Sequence, residues 1–383
     1  MQRPPLPYSR QKIEKDDIEV VCRTLERDVI TQGPELQTFE EELASRCGAR
    51  YAICFNSGTA ALWAAVASLG LEKGVDGVVP AITFVASATA LIQAGVRPII
   101  ADVNPATGNL DADTLRASIT EKTSVIVVVH YGGLPAPMEE IARVAASYGG
   151  IPIIEDAAHA LGASYKGEPV GSCSLSKATV FSFHPVKAIT TGEGGALVTN
   201  DSGLAEKARR YRHHGITPVP ERGPWYYDVT SLGMNGRITE FQCALGRSQL
   251  KKLDSYIVER NAIASTYDDR LAATDGISSA AKAPEGSLHA YHLYPARLDD
   301  PSDRGALFET LISAGIRPQV HYIPLHYHSL FRSLGAPEKG SLKGAENFYE
   351  TEISLPIYPG LTREDQERVL NAIAGFFAAK RLT

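Results

Sequence analysis

Short runs that are apolar at nearly every position recur along the first two-thirds of the chain. They fall at 50–55 (RYAICF), 77–80 (GVVP), 97–103 (RPIIADV), 124–131 (SVIVVVHY), 151–157 (IPIIEDA), 178–183 (ATVFSF) and 195–200 (GALVTN). A strand with one wet face alternates apolar and polar residues; runs without alternation fit strands covered on both faces. Helical patterns separate several of the runs, as crossover connections between parallel strands require. Residues 33–49 space their apolar positions as an amphipathic helix. NSGTAALWAAVASLG (56–70) reads as a helix capped by Asn56 or Ser57 and ended at Gly70. Beyond Asn235 the pattern changes. A long helical stretch covers 238–273, and isolated strands follow in AYHLYPARL (290–298) and RPQVHY (317–322), with a helix between them. The expectation is an N-terminal segment and a large α/β domain over residues 1–250, then a small α+β domain over 251–383.

Composition narrows the function classes. At 383 residues, with 44% hydrophobic and 21% charged residues, the chain can bury a sizeable core and falls in the globular range. No segment approaches the run of roughly 18 apolar residues that a membrane span needs, so a soluble protein is expected. The opening MQRPPLPYSRQKIEKDDIEV lacks an apolar signal core, which makes the cytoplasm the expected location. A net charge of −6 disfavours a nucleic-acid surface, and the short basic run KARRYRHHG (207–215) reads as a solvated helix face. Five scattered cysteines (22, 47, 54, 173 and 243) have no ligand spacing, so neither a disulfide framework nor a metal site is expected.

Ligands of open α/β sheets sit beyond the carboxyl ends of the strands. Three such ends carry polar residues. Ser57-Gly58-Thr59 opens a helix whose free N–H groups favour an anion such as a phosphate, although a simple cap explains the same residues. Asp156 follows the buried run IPII and needs a positive partner, or else caps the next helix; His159 lies three residues on, within reach if a helical turn begins there. FSFHPVKAITTGEGG (181–195) holds Lys187, 31 residues after Asp156, between Pro185 and a glycine cluster that permits positive φ and close backbone approach. A lysine partly desolvated there becomes a nucleophile toward a carbonyl; a surface lysine on a turn is the alternative. Together the three ends match the needs of pyridoxal 5'-phosphate: an anion site, a carboxylate against the ring nitrogen and a lysine for the aldehyde.

These residues and their neighbours resemble the DegT/DnrJ/EryC1/StrS family of sugar aminotransferases over essentially the whole chain. The resemblance is carried by NSGTAAL, PAITFVASA, ADVNPATGNLD, EDAAHALGA, FSFHPVKAITTGEGGALVTN, LGMNGRITEFQCALGRSQL, GIRPQVHYIPLH and ISLPIYPGLT. It implies the fold type I architecture of aspartate aminotransferase, a large mixed but mostly parallel sheet domain plus a small C-terminal domain, and a homodimer with shared active sites. By position, Lys187 is the implied covalent anchor of the cofactor and Asp156 the partner of its ring nitrogen. Gly58, Thr59 and Ser182 are implied phosphate contacts, Phe84 a stacking ring, His159 a neighbour of the 3-hydroxyl, and Asn235 a contact to the other subunit's cofactor phosphate. His184, Arg237, His321 and Tyr322 are candidate substrate contacts; His184 has an equal reading as a backbone hydrogen-bonder, and Arg237 as a structural ion pair.

Within the family, FHPVK with ITTGEGG, GPWYYDVTSLG and QVHYIPLH is most similar to transaminases that make UDP-4-amino-4,6-dideoxy-N-acetyl-β-L-altrosamine on the pseudaminic acid route. Two positions depart from that narrower pattern: Ala188 stands in place of a proline and Gly236 in place of an aromatic. The implied reaction moves an amino group from L-glutamate to C-4 of a 4-keto-6-deoxy nucleotide sugar, UDP-linked if the narrower resemblance holds, otherwise dTDP- or GDP-linked. A cofactor-binding regulator on the same fold is the rival class; the intact Lys187 and Asp156 speak against it. A hydrolase lacks any GxSxG elbow here.

Overall fold

A computed structural model describes residues 4–381. Each of the seven apolar runs forms a strand of one sheet: β1 (Tyr51–Phe55), β2 (Asp76–Pro80), β3 (Arg97–Ala101), β4 (Thr123–Val129), β5 (Ile153–Asp156), β6 (Ala178–Ser182) and β7 (Gly195–Thr199). Their order across the sheet is 1-7-6-5-4-2-3. Strands β2 to β6 pair in parallel, whereas β7 runs antiparallel to both β1 and β6. No helix forms between Ser182 and Gly195, so that connection returns as a loop and reverses the chain.

The lack of alternation has the expected cause. Ile53, Phe55, Ile154, Val180 and Leu197 pack on one face of the sheet, beneath the helix Gly58–Leu69. Ala52, Cys54, Phe181, Ala196 and Val198 pack on the other. Adjacent residues of a strand point to opposite faces, so Asp156 shares the face of Ile154 and Glu155 takes the reverse. Glu155 is accordingly held elsewhere, by His130 Nε2 at 2.7 Å, Thr179 Oγ1 at 3.0 Å and Ser176 Oγ.

The stretch 238–273 is two helices, Glu240–Leu250 and Leu253–Leu271, broken at Lys251 and Lys252. The expected C-terminal strands are shorter than their apolar runs. A three-stranded antiparallel sheet contains β8 (Ile277–Ser278), β9 (Tyr294–Leu298) and β10 (Glu352–Leu355) in that order. Of RPQVHY, Arg317 joins Ile316 in a two-residue strand that takes Leu6–Pro7 as a parallel neighbour, and Gln319 makes a single antiparallel bridge to Ser354. The N-terminal strap therefore packs on the C-terminal part of the chain, with Leu6 in its core. Among the described residues, no helix is long and apolar enough to cross a membrane.

Candidate active site

The carboxyl ends of the parallel strands open into a cleft of about 410 Å³. Because β7 is antiparallel, its first residue reaches the same edge: Gly195 pairs with Phe55 and with Ser182. A Cβ on Gly195 would lie 2.5 Å from both the Cα and the N of Gly58, so this approach tolerates only glycine. It seats the β7 backbone against the first residue of the helix Gly58–Leu69. Ser57, not Asn56, caps that helix, its Oγ accepting from Ala60 N at 3.1 Å, and Gly70 ends it in the left-handed region. Gly58, Thr59 and Ser182 line the cleft together.

Asp156 is buried at the cleft floor. Its Oδ1 accepts the N–H of Ala158 at 3.1 Å, a turn rather than a helix cap, and its Oδ2 accepts Ser87 Oγ at 2.6 Å. The chain after it forms turns through Gly162 rather than a helix, and His159 lines the cleft. Gly132 N–H donates to His159 Nδ1 at 3.2 Å, which puts the ring proton on Nε2, 3.1 Å from Tyr322 Oη. Burial first, then the nearby Lys187 and His321, holds His159 well below the usual histidine range, so the ring is neutral. The His292 ring lies 4.3 Å behind it.

Lys187 reaches the cleft from the loop between β6 and β7, partly exposed to it. The loop is closed by its own backbone: Lys187 N donates to His184 O at 2.9 Å and Thr191 N to Phe183 O at 3.0 Å. Gly192 takes the positive φ of 79° that turns the chain back. Desolvation pulls the Lys187 ammonium down to about 8, against the opposing pull of Asp156. A fraction of the amine is thus unprotonated near neutrality, the state in which lysine is nucleophilic.

Phe84 is 55% exposed and lines the cleft. A bare ring of that kind is a stacking surface. His184, His321 and Tyr322 also line the cleft, whereas Asn235 and Arg237 do not. Asn235 is exposed, its carbonyl accepting Asn56 Nδ2 at 3.0 Å, and Arg237 Nη1 lies 3.2 Å from His213 Nδ1. Sequence reasoning missed Ser87, Tyr8 and His292. Ser87 alone had a local signal, a serine four residues after Thr83 on a helix face that is otherwise apolar, with the two hydroxyls 2.7 Å apart. Tyr8 arrives on the strap and His292 on the approach to β9, both by tertiary contact.

An anion-ready helix terminus, a buried carboxylate, an exposed ring and a lysine of lowered proton affinity thus share one cavity. That donor set fits pyridoxal 5'-phosphate, because each part answers a different group of that molecule. The sequence profile of the DegT/DnrJ/EryC1/StrS aminotransferase family matches residues 11–374. The spore coat polysaccharide biosynthesis protein SpsC of Bacillus subtilis is 35% identical over 378 residues, covering 96% of each chain. The UDP-4-amino-4,6-dideoxy-N-acetyl-beta-L-altrosamine transaminase of Campylobacter jejuni (strain 81-176) is 36% identical over 373 residues, again covering 96% of each. The solved structure of Helicobacter pylori PseC, described as an aminotransferase involved in the biosynthesis of pseudoaminic acid, superposes with a TM-score of 0.91 at 33% identity. The match covers 98% of this chain and 100% of that one.

Proposed function

Because the chain belongs to the DegT/DnrJ/EryC1/StrS aminotransferase family, and is a pyridoxal-phosphate-dependent nucleotide-sugar aminotransferase, we propose a specific reaction for it. It moves the amino group of L-glutamate to C-4 of a UDP-linked 4-keto-6-deoxy N-acetylhexosamine, as in a pseudaminic acid type of pathway, in the cytoplasm. The observation that carries the chemistry is Lys187, drawn to about 8 and facing the same cleft as Asp156 and the Gly58-Thr59 turn. The similarity to the altrosamine transaminase and to PseC supports the sugar.

Bound in this cleft, pyridoxal 5'-phosphate supplies the aldehyde that carries the amino group and a ring that accepts an electron pair. The chain's residues do the rest. Lys187 Nζ would hold the cofactor's aldehyde carbon covalently and, when free, would carry the proton taken from the donor's Cα to that aldehyde carbon. Asp156 would pair with the ring nitrogen and keep it protonated. Gly58 and Thr59 N–H with Ser182 Oγ would receive the phosphate, Phe84 would stack on the ring, and the Nε2–H of His159, shared with Tyr322, would serve the 3-hydroxyl. His184, His321 and Tyr322 remain on the cleft wall for the sugar nucleotide. Asn235 and Arg237 serve the site of a second copy, Asn235 its phosphate and Arg237 the donor carboxylate. Trp225 (76% exposed) and Leu232 (91%), just ahead of Asn235, supply the apolar surface such a dimer would cover.

The test is a panel of UDP-, GDP- and dTDP-linked 4-keto sugars incubated with glutamate, the products identified by NMR. Amination of the UDP sugar is expected. Reaction of a GDP or dTDP sugar alone overturns the choice of sugar while leaving amino transfer in place.

A further inference from the structure

The cleft residue His321 is backed by a pair of buried polar residues from β10. Along this strand Ile353 and Leu355 enter the apolar core that also holds Leu6, so Glu352 and Ser354 share the opposite side. Both are fully buried. Glu352 Oε2 accepts the backbone N–H of His321 at 2.9 Å, and Ser354 Oγ lies 2.8 Å from His321 Nδ1. Ser354 Oγ is also hydrogen-bonded to Glu352 Oε1. The ring is held in place between Tyr8 and Tyr322, with centroids 5.1 and 4.9 Å away. Its carbonyl accepts Tyr131 Oη. Nε2 is the ring nitrogen left for the cleft.

Proton counting constrains this chain of contacts. A serine hydroxyl has one proton and here has two partners. When Glu352 carries its proton, it donates to Ser354, Ser354 donates to His321 Nδ1, and the neutral ring presents Nε2–H to the cleft. When the carboxylate is ionised, Ser354 turns its proton to Glu352, Nδ1 must be the protonated nitrogen, and Nε2 presents a lone pair. Passing from the first state to the second releases one proton. It leaves Nε2 for the cleft, the serine proton moves to Nδ1, and the glutamic acid proton moves to the serine.

We propose that Glu352 and Ser354 are positioning residues that exchange a proton with the cleft through His321, and so set whether the cleft wall donates or accepts a hydrogen bond at His321 Nε2. Burial pushes the Glu352 carboxyl up to about 8, opposed by Ser354, the His321 N–H, Arg304 and Arg297. Burial and then Lys187 pull the His321 imidazolium down to about 3, so the ring changes tautomer and not charge. Arg297 comes from β9, Arg304 from the helix Asp303–Ser313, and Tyr131 from the turn after β4. On the cleft side the ring faces Lys187 and has His159 and His292 near it. The donor state suits an anionic partner, such as the diphosphate of a nucleotide sugar; this consequence alone rests on the function proposed above.

The test reads the tautomer directly. Protein labelled with ¹⁵N-histidine is titrated from about pH 6 to about pH 10, a range that brackets the Glu352 carboxyl. The His321 signals are identified by their loss in His321→Phe. In the wild type, Nε2–H gives way to Nδ1–H as pH passes through about 8. In Glu352→Gln the side-chain amide donates to Ser354 as the protonated acid does, so Nε2–H persists throughout. Ser354→Ala uncouples the tautomer from pH. A wild-type tautomer that ignores pH, or a Glu352→Gln protein that follows the wild type, overturns the proposal. The second readout is the affinity for UDP. It should fall about tenfold more in the wild type than in Glu352→Gln above pH 8, the worth of one hydrogen bond to a charged group. Lys187 titrates in the same range in both proteins and cancels from that difference. A tautomer switch with equal UDP affinities keeps the relay and removes the nucleotide from His321.

Discussion

Ser87 Oγ donates to Asp156 Oδ2 at 2.6 Å, across 69 residues of sequence. The serine belongs to the first turn of the helix Val85–Gln93 and the aspartate ends β5, so the bond ties the buried carboxylate to the element that also carries Phe84 as its cap residue. A hydrogen bond to a charged group is worth about 1.5–3 kcal/mol. Ser87→Ala should therefore lower turnover roughly tenfold or more while leaving the fold intact. The check is the glutamate half-reaction followed at single turnover beside a thermal melt. Unchanged turnover in Ser87→Ala means that Asp156 is held well enough by Ala158 alone.

If Lys187 is the anchor and the proton carrier, as proposed, Lys187→Ala should abolish the visible absorbance of the covalently bound cofactor and reduce amino transfer by at least ~10³-fold. Absorbance and product assays together decide it. A Lys187→Ala protein that keeps wild-type turnover contradicts the assignment.

The lowered proton affinity of Lys187 has a sign that can be measured. The ammonium form loses its proton at about 8 rather than near the ordinary lysine value, and the neutral amine is the reactive form. The rate at which cofactor-free protein takes up pyridoxal 5'-phosphate should rise about tenfold per pH unit below that point and level off above it. A rate still climbing steeply beyond pH 9, at about the same slope, would place the amine back in the ordinary range.

Gly195→Ala tests the backbone contact beneath the Gly58–Thr59 turn proposed to receive the cofactor phosphate. The added carbon would sit 2.5 Å from the Gly58 backbone, with no flexible side chain to yield. Overpacking of this kind costs about 1–3 kcal/mol, which urea unfolding can measure. Because the strain falls on Gly58, affinity for the cofactor should drop as well, by about tenfold for each 1.4 kcal/mol transmitted, if Gly58 holds its phosphate as proposed.

The proposed sharing of sites between two copies can be tested by complementation. Lys187→Ala and Asn235→Ala proteins, each inactive alone, should regain about a quarter of wild-type activity when unfolded and refolded together. Half of the resulting dimers are then mixed, and one of the two sites in each combines an intact Lys187 with an intact Asn235. Absence of recovery in a mixture shown to contain mixed dimers would place Asn235 outside the neighbouring site.

Several elements were readable from local pattern because their cause is local. A strand covered on both faces must be apolar at successive positions, and each of the seven such runs entered the large sheet. A cap at Asn56 or Ser57 and the stop at Gly70 were visible because capping is decided within four residues, and the structure chose Ser57. The direction of β7 was not visible in the apolar pattern, since a loop of a dozen residues can serve either a hairpin return or a crossover. The break at 251–252 was hidden by continuous helical periodicity. Glu240 offers a further case: its carboxylate accepts the N–H groups of Gly33, Glu35 and Leu36 and caps a helix some 200 residues away, which no local motif announces.

By itself the amino-acid sequence determined the α/β sheet, the capped helix at its edge, and Asp156 and Lys187 as the groups left at strand ends. These follow from hydrophobic periodicity and from the rule that open sheets bind ligands beyond their carboxyl ends. Only the tertiary structure decided what surrounds those groups. It brought Ser87 to Asp156, Tyr8 to the cleft, and the Glu352–Ser354 pair behind His321. The proton affinities of Lys187 and Glu352 belong to the same class, because the cost of a charge depends on how completely distant parts of the chain strip it of water.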